Sequence, residues 1–406
     1  MESTFDLLGP SAPNPGDQHR RLDVACQHLD APVAVLDIHA LSANAHSLVQ
    51  RARGKPVRIA SKSIRSTGVL KALLEAPGYA GILAFSLREA IMLVETGVTD
   101  DVVVAYPTTD RHALDQLLQS EQLLEAITLM IDHPAQLRLI QKRGDAVAAV
   151  RVCLDLDMSL RSGPVHIGTR RSPIHTVEHV TAAAEYVTAT QMFRLVGLMG
   201  YEAQIAGLPD DTPLVSAVKR VSRTELRARR GQLVAAAQRV LASRGRPALE
   251  FVNGGGTGSL DSTADEDAIT EVAAGSGVYG PHLFDRYDTF TPEPAAFFGL
   301  DVTRHPAPGS ITVQGGGWIA SGTPGADRLP QPVYPPGLRY TRTEGAGEVQ
   351  TPLRVARSPV PDIGQRVWFR HTKAGELAEH VKHFHILTHH RITATVTTYR
   401  GDGLAL

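Results

Sequence analysis

The residue in this chain best placed for chemistry is a lysine at the end of a short apolar run. Val57-Arg58-Ile59-Ala60-Ser61-Lys62-Ser63 reads as a strand that ends on Lys62 and passes at once into a helix over 65–75. At the C-terminal tip of a barrel strand, such a lysine opens into the mouth where parallel α/β barrels place their chemistry. Partly desolvated there, it can lose its proton and attack carbonyl carbons, which is what a Schiff-base site requires. Two glycine-rich turns follow late strands. One is Asn253-Gly254-Gly255-Gly256-Thr257-Gly258-Ser259, the other Ala274-Gly275-Ser276-Gly277-Val278-Tyr279-Gly280. Glycines let backbone N–H groups approach a phosphate closely, and Thr257 and Ser259 add hydroxyl donors. Neither turn matches a Walker loop or a dinucleotide fingerprint, because the lysine and the spacing are absent. Taken alone, such a loop is equally a flexible turn. Asp37, Asp157, Arg161, Tyr201 and Glu202 also fall at strand ends.

The elements that position these residues follow from periodicity. Apolar runs at 32–36, 57–60, 81–85, 102–106, 127–131, 148–154, 195–199 and 249–252 alternate with amphipathic stretches such as 41–53, 87–96, 111–118 and 177–186. Eight runs, each buried by pattern and each followed by a helix, predict a closed parallel (β/α)8 barrel, with an open doubly wound sheet as the alternative. Beyond about residue 290 the pattern changes to strand alternation broken by Gly and Pro (310–314, 366–369, 392–399), which predicts an all-β domain. The expected division is an irregular N-terminal segment at 1–30, the barrel at 31–290 and the β domain at 291–406.

Composition narrows the function classes. The 406 residues carry a formal net charge of −1, so nothing draws the whole chain to nucleic acid or to an anionic membrane. The arginine-rich segment 215–244 (Arg220, Arg223, Arg227, Arg229, Arg230) is read as the solvated face of a long outer helix, with Leu226, Leu233, Val234 and Val240 packing inward. Two cysteines, Cys26 and Cys153, give no disulfide framework, and no leader or membrane-spanning run is evident. A soluble cytoplasmic protein is expected.

Several of these stretches together resemble a known family. The lysine ending a strand, the run Asp157-Met-Ser-Leu-Arg161-Ser-Gly163, the Gly-Thr-Gly-Ser loop and the Gly277-Val-Tyr279-Gly turn are similar to those of the alanine-racemase-type (fold-type III) pyridoxal-phosphate enzymes. Within that group the chain resembles the D-threonine aldolase and D-serine dehydratase branch, and bacterial amino-acid deaminase/aldolase proteins above all. It shares with them Ala-Ser-Lys-Ser, Phe-Val-Asn-Gly-Gly-Gly-Thr-Gly-Ser, Glu-Gly-Ala-Gly-Glu-Val-Gln-Thr-Pro and Lys-Ala-Gly-Glu-Leu, over a region from about residue 30 to Gly401. The resemblance implies pyridoxal 5'-phosphate as cofactor, held by Lys62 as an imine. It implies that Gly256, Thr257, Gly258 and Ser259, with Gly277 and Tyr279, bind the phosphate. Arg161 would then sit near the phenolic oxygen and Tyr201 would pack against the pyridine. It also implies a head-to-tail homodimer.

The resemblance breaks in the β domain. Relatives place a divalent metal on a His-x-Asp or His-x-Cys pair, and the matching stretch here runs His371-Thr-Lys373. A lysine is a poor metal ligand, so no metal is expected at His371. His383 and His385, on one face of an alternating strand, with His380, His389 and His390 nearby, are the substitute metal reading. Without a metal, His371 and Lys373 are the expected catalytic pair, one as base and the other stabilising an alkoxide, in either assignment. Glu348 and Gln350 are lid candidates, Trp318 is core or substrate wall, and Arg170-Arg171 could meet a substrate carboxylate. The implied activity is a lyase acting on a β-hydroxy-α-amino acid of D configuration, by retro-aldol cleavage or by dehydration. The alternative is an amino-acid racemase, although Tyr334 and Tyr340 do not match that group's catalytic tyrosine. A non-catalytic cofactor carrier is disfavoured by the β domain.

Overall fold

In the computed structural model, residues 5–9, 12, 14–208, 210, 212–357 and 359–406 are described. After a helix at Gln18–Cys26, strand β1 (Val33–Asp37) leads to β2 (Val57–Ala60), β3 (Tyr79–Ala84), β4 (Val102–Val104), β5 (Ile127–Ile131) and β6 (Val150–Asp155). A hairpin of β7 (Leu160–Ser162) and β8 (Val165–Ile167) follows, then β9 (Phe193–Gly200), β10 (Phe251–Gly254) and β11 (Glu271–Ala274). Strands β2 to β6 with β9, β10 and β11 close a parallel barrel, in the order β10-β11-β2-β3-β4-β5-β6-β9. Its strands are short and almost wholly buried, as expected where helices cover the outside and side chains fill the lumen.

The lumen is filled by Leu83, Val103, Met130, Cys153, Val196, Met199, Phe251 and Ala273. Gly197 makes room for one of them, because a Cβ there would lie 2.2 Å from the Phe251 ring. Below this layer Arg58 donates to both oxygens of Glu271, at 2.7 and 2.8 Å, and Asn253 donates to Glu271 at 2.8 Å. The buried charge is therefore paired and hydrogen-bonded.

The C-terminal strands are β12 (Ala296–Ala307), β13 (Ser310–Gln314), β14 (Gln331–Tyr334), β15 (Leu338–Tyr340), β16 (Gln350–Val355), β17 (Arg366–Arg370), β18 (His383–Thr388) and β19 (Arg391–Thr397). They form a nine-stranded sheet with the path β15-β16-β13-β12-β1-β18-β19, and β17 pairs β12 and β14. The all-β reading of this region holds.

Three expectations need correction. The run at 32–36 is not a barrel strand: β1 pairs antiparallel with β12 and parallel with β18, and β11 takes the eighth barrel place. The N-terminal segment is not irregular throughout, since the helix Gln18–Cys26 buries Leu22, Ala25 and Cys26. The arginines of the helix Pro213–Ser243 do not all face solvent. Arg230 is 1% exposed, and Arg229 donates to the carbonyls of Asp157 (2.6 Å) and Ser159 (3.0 Å). Leu226, Leu233 and Val240 pack inward as expected.

Candidate active site

At the mouth of the barrel lies a cavity of about 460 Å³. Its lining includes Lys62, Tyr106, Arg171 and Tyr201 from the barrel, and Ser321, Arg328, Lys373 and Glu376 from the C-terminal sheet and its loops. Lys62 sits in a single 3-10 turn, Ser61–Ser63, directly after β2. The turn is held from below: Tyr279, fully buried, donates to the carbonyl of Ile64 at 2.9 Å, and Ser61 donates to the carbonyl of Leu83 at 3.2 Å. The Lys62 ammonium is left free to enter the cavity, where Nζ donates to Tyr106 Oη at 3.1 Å.

The glycine turns form the adjoining wall, since they follow β10 and β11 and β11 pairs with β2. Gly255, Gly256, Thr257, Gly275 and Ser276 line the cavity. Gly275 must lack a Cβ because the Ala60 carbonyl oxygen would lie 2.6 Å from it, and a Cβ at Gly256 would press on the Tyr201 ring at 3.0 Å. Thr257 Oγ1 ties the two turns together, accepting from Gly277 N at 3.1 Å and from Ser276 Oγ at 3.0 Å. Gly258, Ser259, Gly277 and Tyr279 stand behind this surface and outside the lining. Ser259 Oγ accepts from Gly256 N at 3.2 Å and donates to Glu202 at 2.8 Å. Glu202 is buried between Arg230 (2.8 Å), Ser259 and Thr263, and Arg230 also reaches Glu266 at 2.6 Å. The glycine turn is thus anchored to the long helix by a buried ionic network.

Other expected residues are placed differently. Arg161 is exposed on the β7–β8 hairpin, paired with Asp157, and lies outside the cavity lining. Among the arginines that do line the cavity is Arg171, whose guanidinium stands 5.8 Å from the Tyr106 ring centroid and 5.1 Å from that of Tyr201. His371 is 3% exposed and edge-on to Tyr279. Burial, then the charge of Arg370, pushes its pKa down to about 3, so it stays neutral in the core and does not line the cavity.

Lys373 does line it. Its Nζ donates to Ser321 Oγ at 3.2 Å, and Ser321 in turn donates to Glu376 from N (3.1 Å) and Oγ (2.9 Å). Burial lowers the Lys373 pKa, opposed by Glu376 and assisted by Arg328 and Lys62. Asp37 is buried against Arg21 and accepts from Gln18 at 2.8 Å, so it is a structural carboxylate. Trp318 stacks on His380 with centroids at 4.9 Å, lies tilted against Phe298 at 4.3 Å, and belongs to the packing of the sheet. Glu348, Gln350, Tyr334 and Tyr340 are not in the lining. His385 hydrogen-bonds Thr395 at 3.0 Å, and among the described residues no group of three or more His, Cys, Asp or Glu could hold a metal ion.

Residues that the sequence left unremarked also gather here. Tyr106 follows β4 by two residues as Lys62 follows β2, and that shared position was the available signal. Glu89 is fully buried behind Lys62, accepting from Phe85 N at 2.7 Å and from Tyr399 Oη at 2.7 Å. Burial raises its pKa to about 7 despite those bonds. Asp155, at the tip of β6, is raised to about 7 by burial and by Asp132. Among the described residues no helix is long and apolar enough to cross a membrane.

Comparison with known proteins agrees with this architecture. A D-threonine aldolase of Arthrobacter sp. is 24% identical over 341 residues, covering 82% of this chain and 81% of that one. The solved D-threonine aldolase of Filomicrobium marinum superposes with a TM-score of 0.72 at 20% identity, covering 93% of this chain and 96% of that chain. The D-threo-3-hydroxyaspartate dehydratase of Delftia sp. HT23 does so with a TM-score of 0.69 at 22% identity, covering 92% and 98%. The family model described as alanine racemase, N-terminal domain, matches residues 36–282, more than half of the sequence, and the chain belongs to that family.

Proposed function

We propose that this protein is a pyridoxal-phosphate-dependent lyase acting on a β-hydroxy-α-amino acid of D configuration, by retro-aldol cleavage or by dehydration. The observation that carries the reading is the sharing of one cavity by a lysine amino group, two close-packed glycine turns and a second lysine from the other domain. Membership of the alanine racemase family supports the cofactor, and the aldolase and dehydratase relatives support the lyase chemistry over racemisation.

The residues fit the cofactor. A Cβ at Gly275 would collide with the Ala60 carbonyl and one at Gly256 would crowd Tyr201, so backbone is what these turns offer the cavity, as a bound phosphate requires. Lys62 would hold the aldehyde carbon, and Gly256, Thr257, Gly275 and Ser276 the phosphate. Gly258, Ser259, Gly277 and Tyr279 shape that wall from behind. When bound, pyridoxal phosphate supplies an electron sink for charge developing at the substrate's α-carbon. Tyr201, buried against Gly256, walls the ring site. Arg171, stacked over Tyr106 and Tyr201, is the cation we assign to a substrate carboxylate. Lys373 would face the β-oxygen and stabilise negative charge there, and its depressed pKa also suits it to exchange a proton. His371, sealed in the core, takes no part.

The homodimer and a cytoplasmic location belong to the same proposal. Exposed Ile319 (49%) and Val349 (65%), close to where Gly317 packs on Glu348, support a subunit contact. The test is to record the visible spectrum of the purified protein, reduce it with borohydride and map the tagged residue. Turnover of D- and L-3-hydroxy amino acids is then screened in heavy water, with and without chelator. A tag on Lys62 with carbonyl product from a D substrate is expected. An untagged Lys62, or exchange at the α-carbon with an intact skeleton, overturns the lyase reading, and loss of turnover on chelation overturns the metal-free one.

A further inference from the structure

Two cations converge on one phenol in the cavity. Lys62 Nζ lies 3.1 Å from Tyr106 Oη and 5.8 Å from the ring centroid, and the Arg171 guanidinium stands at 5.8 Å from the same ring. The three come from separate segments: the turn after β2, the loop after β4, and the loop beyond the β7–β8 hairpin. Their meeting is therefore a property of the closed barrel, in which β2, β3 and β4 lie side by side. A lysine attacks a carbonyl only as the neutral amine, so a lysine nucleophile needs somewhere to put a proton.

We propose that Tyr106 is the proton acceptor of Lys62, a role that rests on Lys62 being the nucleophile. As phenolate, Tyr106 takes one proton from the Lys62 ammonium. One N–H bond breaks, one O–H bond forms, and the nitrogen keeps the lone pair that attacks a carbonyl carbon. Arg171 makes the phenolate accessible by offsetting its charge.

The groups facing Tyr106 set the balance. Burial and the carboxylate of Asp155 work against ionisation of the phenol, while Lys62, through its charge and its hydrogen bond, and Arg171 work for it, and the net effect lowers the Tyr106 pKa. Tyr201 and Lys373 also sense Tyr106. Tyr201 is itself pushed up to about 12 by burial, and burial raises Tyr287 as well, so of the three tyrosines lining the cavity only Tyr106 is shifted towards ionisation.

The test uses the full-length protein in two independent readouts. First, ultraviolet titration of wild type minus Tyr106→Phe isolates one phenol, which should ionise below the normal tyrosine range and move upward in Arg171→Met. Second, wild type and Tyr106→Phe are incubated with added pyridoxal 5'-phosphate, quenched with borohydride at intervals and mapped by mass spectrometry. Tyr106→Phe should tag Lys62 roughly tenfold or more slower at neutral pH, with the deficit closing as the pH rises. The aromatic ring is retained, and thermal melting verifies the fold. Equal tagging rates, or a Tyr106 phenol that titrates normally, overturns the proposal. Absence of any tag on Lys62 in both proteins would instead remove the lyase reading, and the phenol titration would still judge the pair.

Discussion

Gly375 rests on the carbonyl oxygen of Lys62. A Cβ at position 375 would lie 2.2 Å from that oxygen, and the backbone there has φ of +96°. This contact locks the loop bearing Lys373 and Glu376 onto the turn bearing Lys62, so the two halves of the cavity are registered by one residue without a side chain. Further contacts reinforce the joint. Arg65 pairs with Glu379, Tyr399 N donates to Arg65 O at 2.9 Å, and Ser66 Oγ donates to Thr397 O at 2.7 Å.

Gly375→Ala should therefore separate the two lysines. The left-handed conformation alone costs an L-residue about 1–2 kcal/mol, and the collision adds a displacement of the loop. The matched control is Gly364→Ala, where φ is +87° but nothing lies within 4 Å. Gly364→Ala should lower the melting temperature slightly and leave turnover intact. Gly375→Ala should lose roughly tenfold or more of kcat; equal kcat in the two variants would show that the registration does not matter.

Glu89 gives a pH dependence with a defined sign. Its folded-state pKa is raised from 4.5 to about 7, chiefly by burial. The folded protein therefore binds the proton more tightly than the unfolded chain, and stability contributed below pH 4.5 is lost as pH rises towards 7. Glu89→Gln keeps an acceptor for Tyr399 or Phe85 and removes the titration. Melting temperatures between pH 4.5 and 7.5 should fall with pH in wild type and fall less in the variant, with Asp155, also raised to about 7, retaining its part. Parallel curves for the two proteins would refute the assignment.

Arg230 should prove a structural residue of the phosphate wall. Removing one member of a buried ion network strands the others, at a cost of about 3–5 kcal/mol. Arg230→Met leaves Glu202 and Glu266 unpaired and loosens the carboxylate that holds Ser259 and Thr263. Chemical denaturation should show that loss, accompanied by weaker retention of pyridoxal phosphate. Arg220→Met, on the same helix and outward-facing, should change neither.

What the sequence by itself determined was local: a lysine closing an apolar run, glycine-rich turns after late strands, helical and alternating periodicities, and hence an α/β barrel followed by β structure. Each of those signals lies within a few residues of chain, and strand tips and glycine turns act through backbone geometry that neighbouring residues dictate. Tertiary structure alone decided which distant segments meet. A five-residue buried run such as Val33–Asp37 looks the same in a barrel as in a sandwich sheet, and only its pairing with β12 and β18 took it out of the barrel. Arg171 displaced Arg161 at the cavity, and Tyr106 met Lys62, because barrel closure brings strand ends together regardless of their separation in sequence. His371 lies outside the cavity lining for the same reason: burial is set by what packs around a residue, and an imidazole sealed against Tyr279 stays neutral.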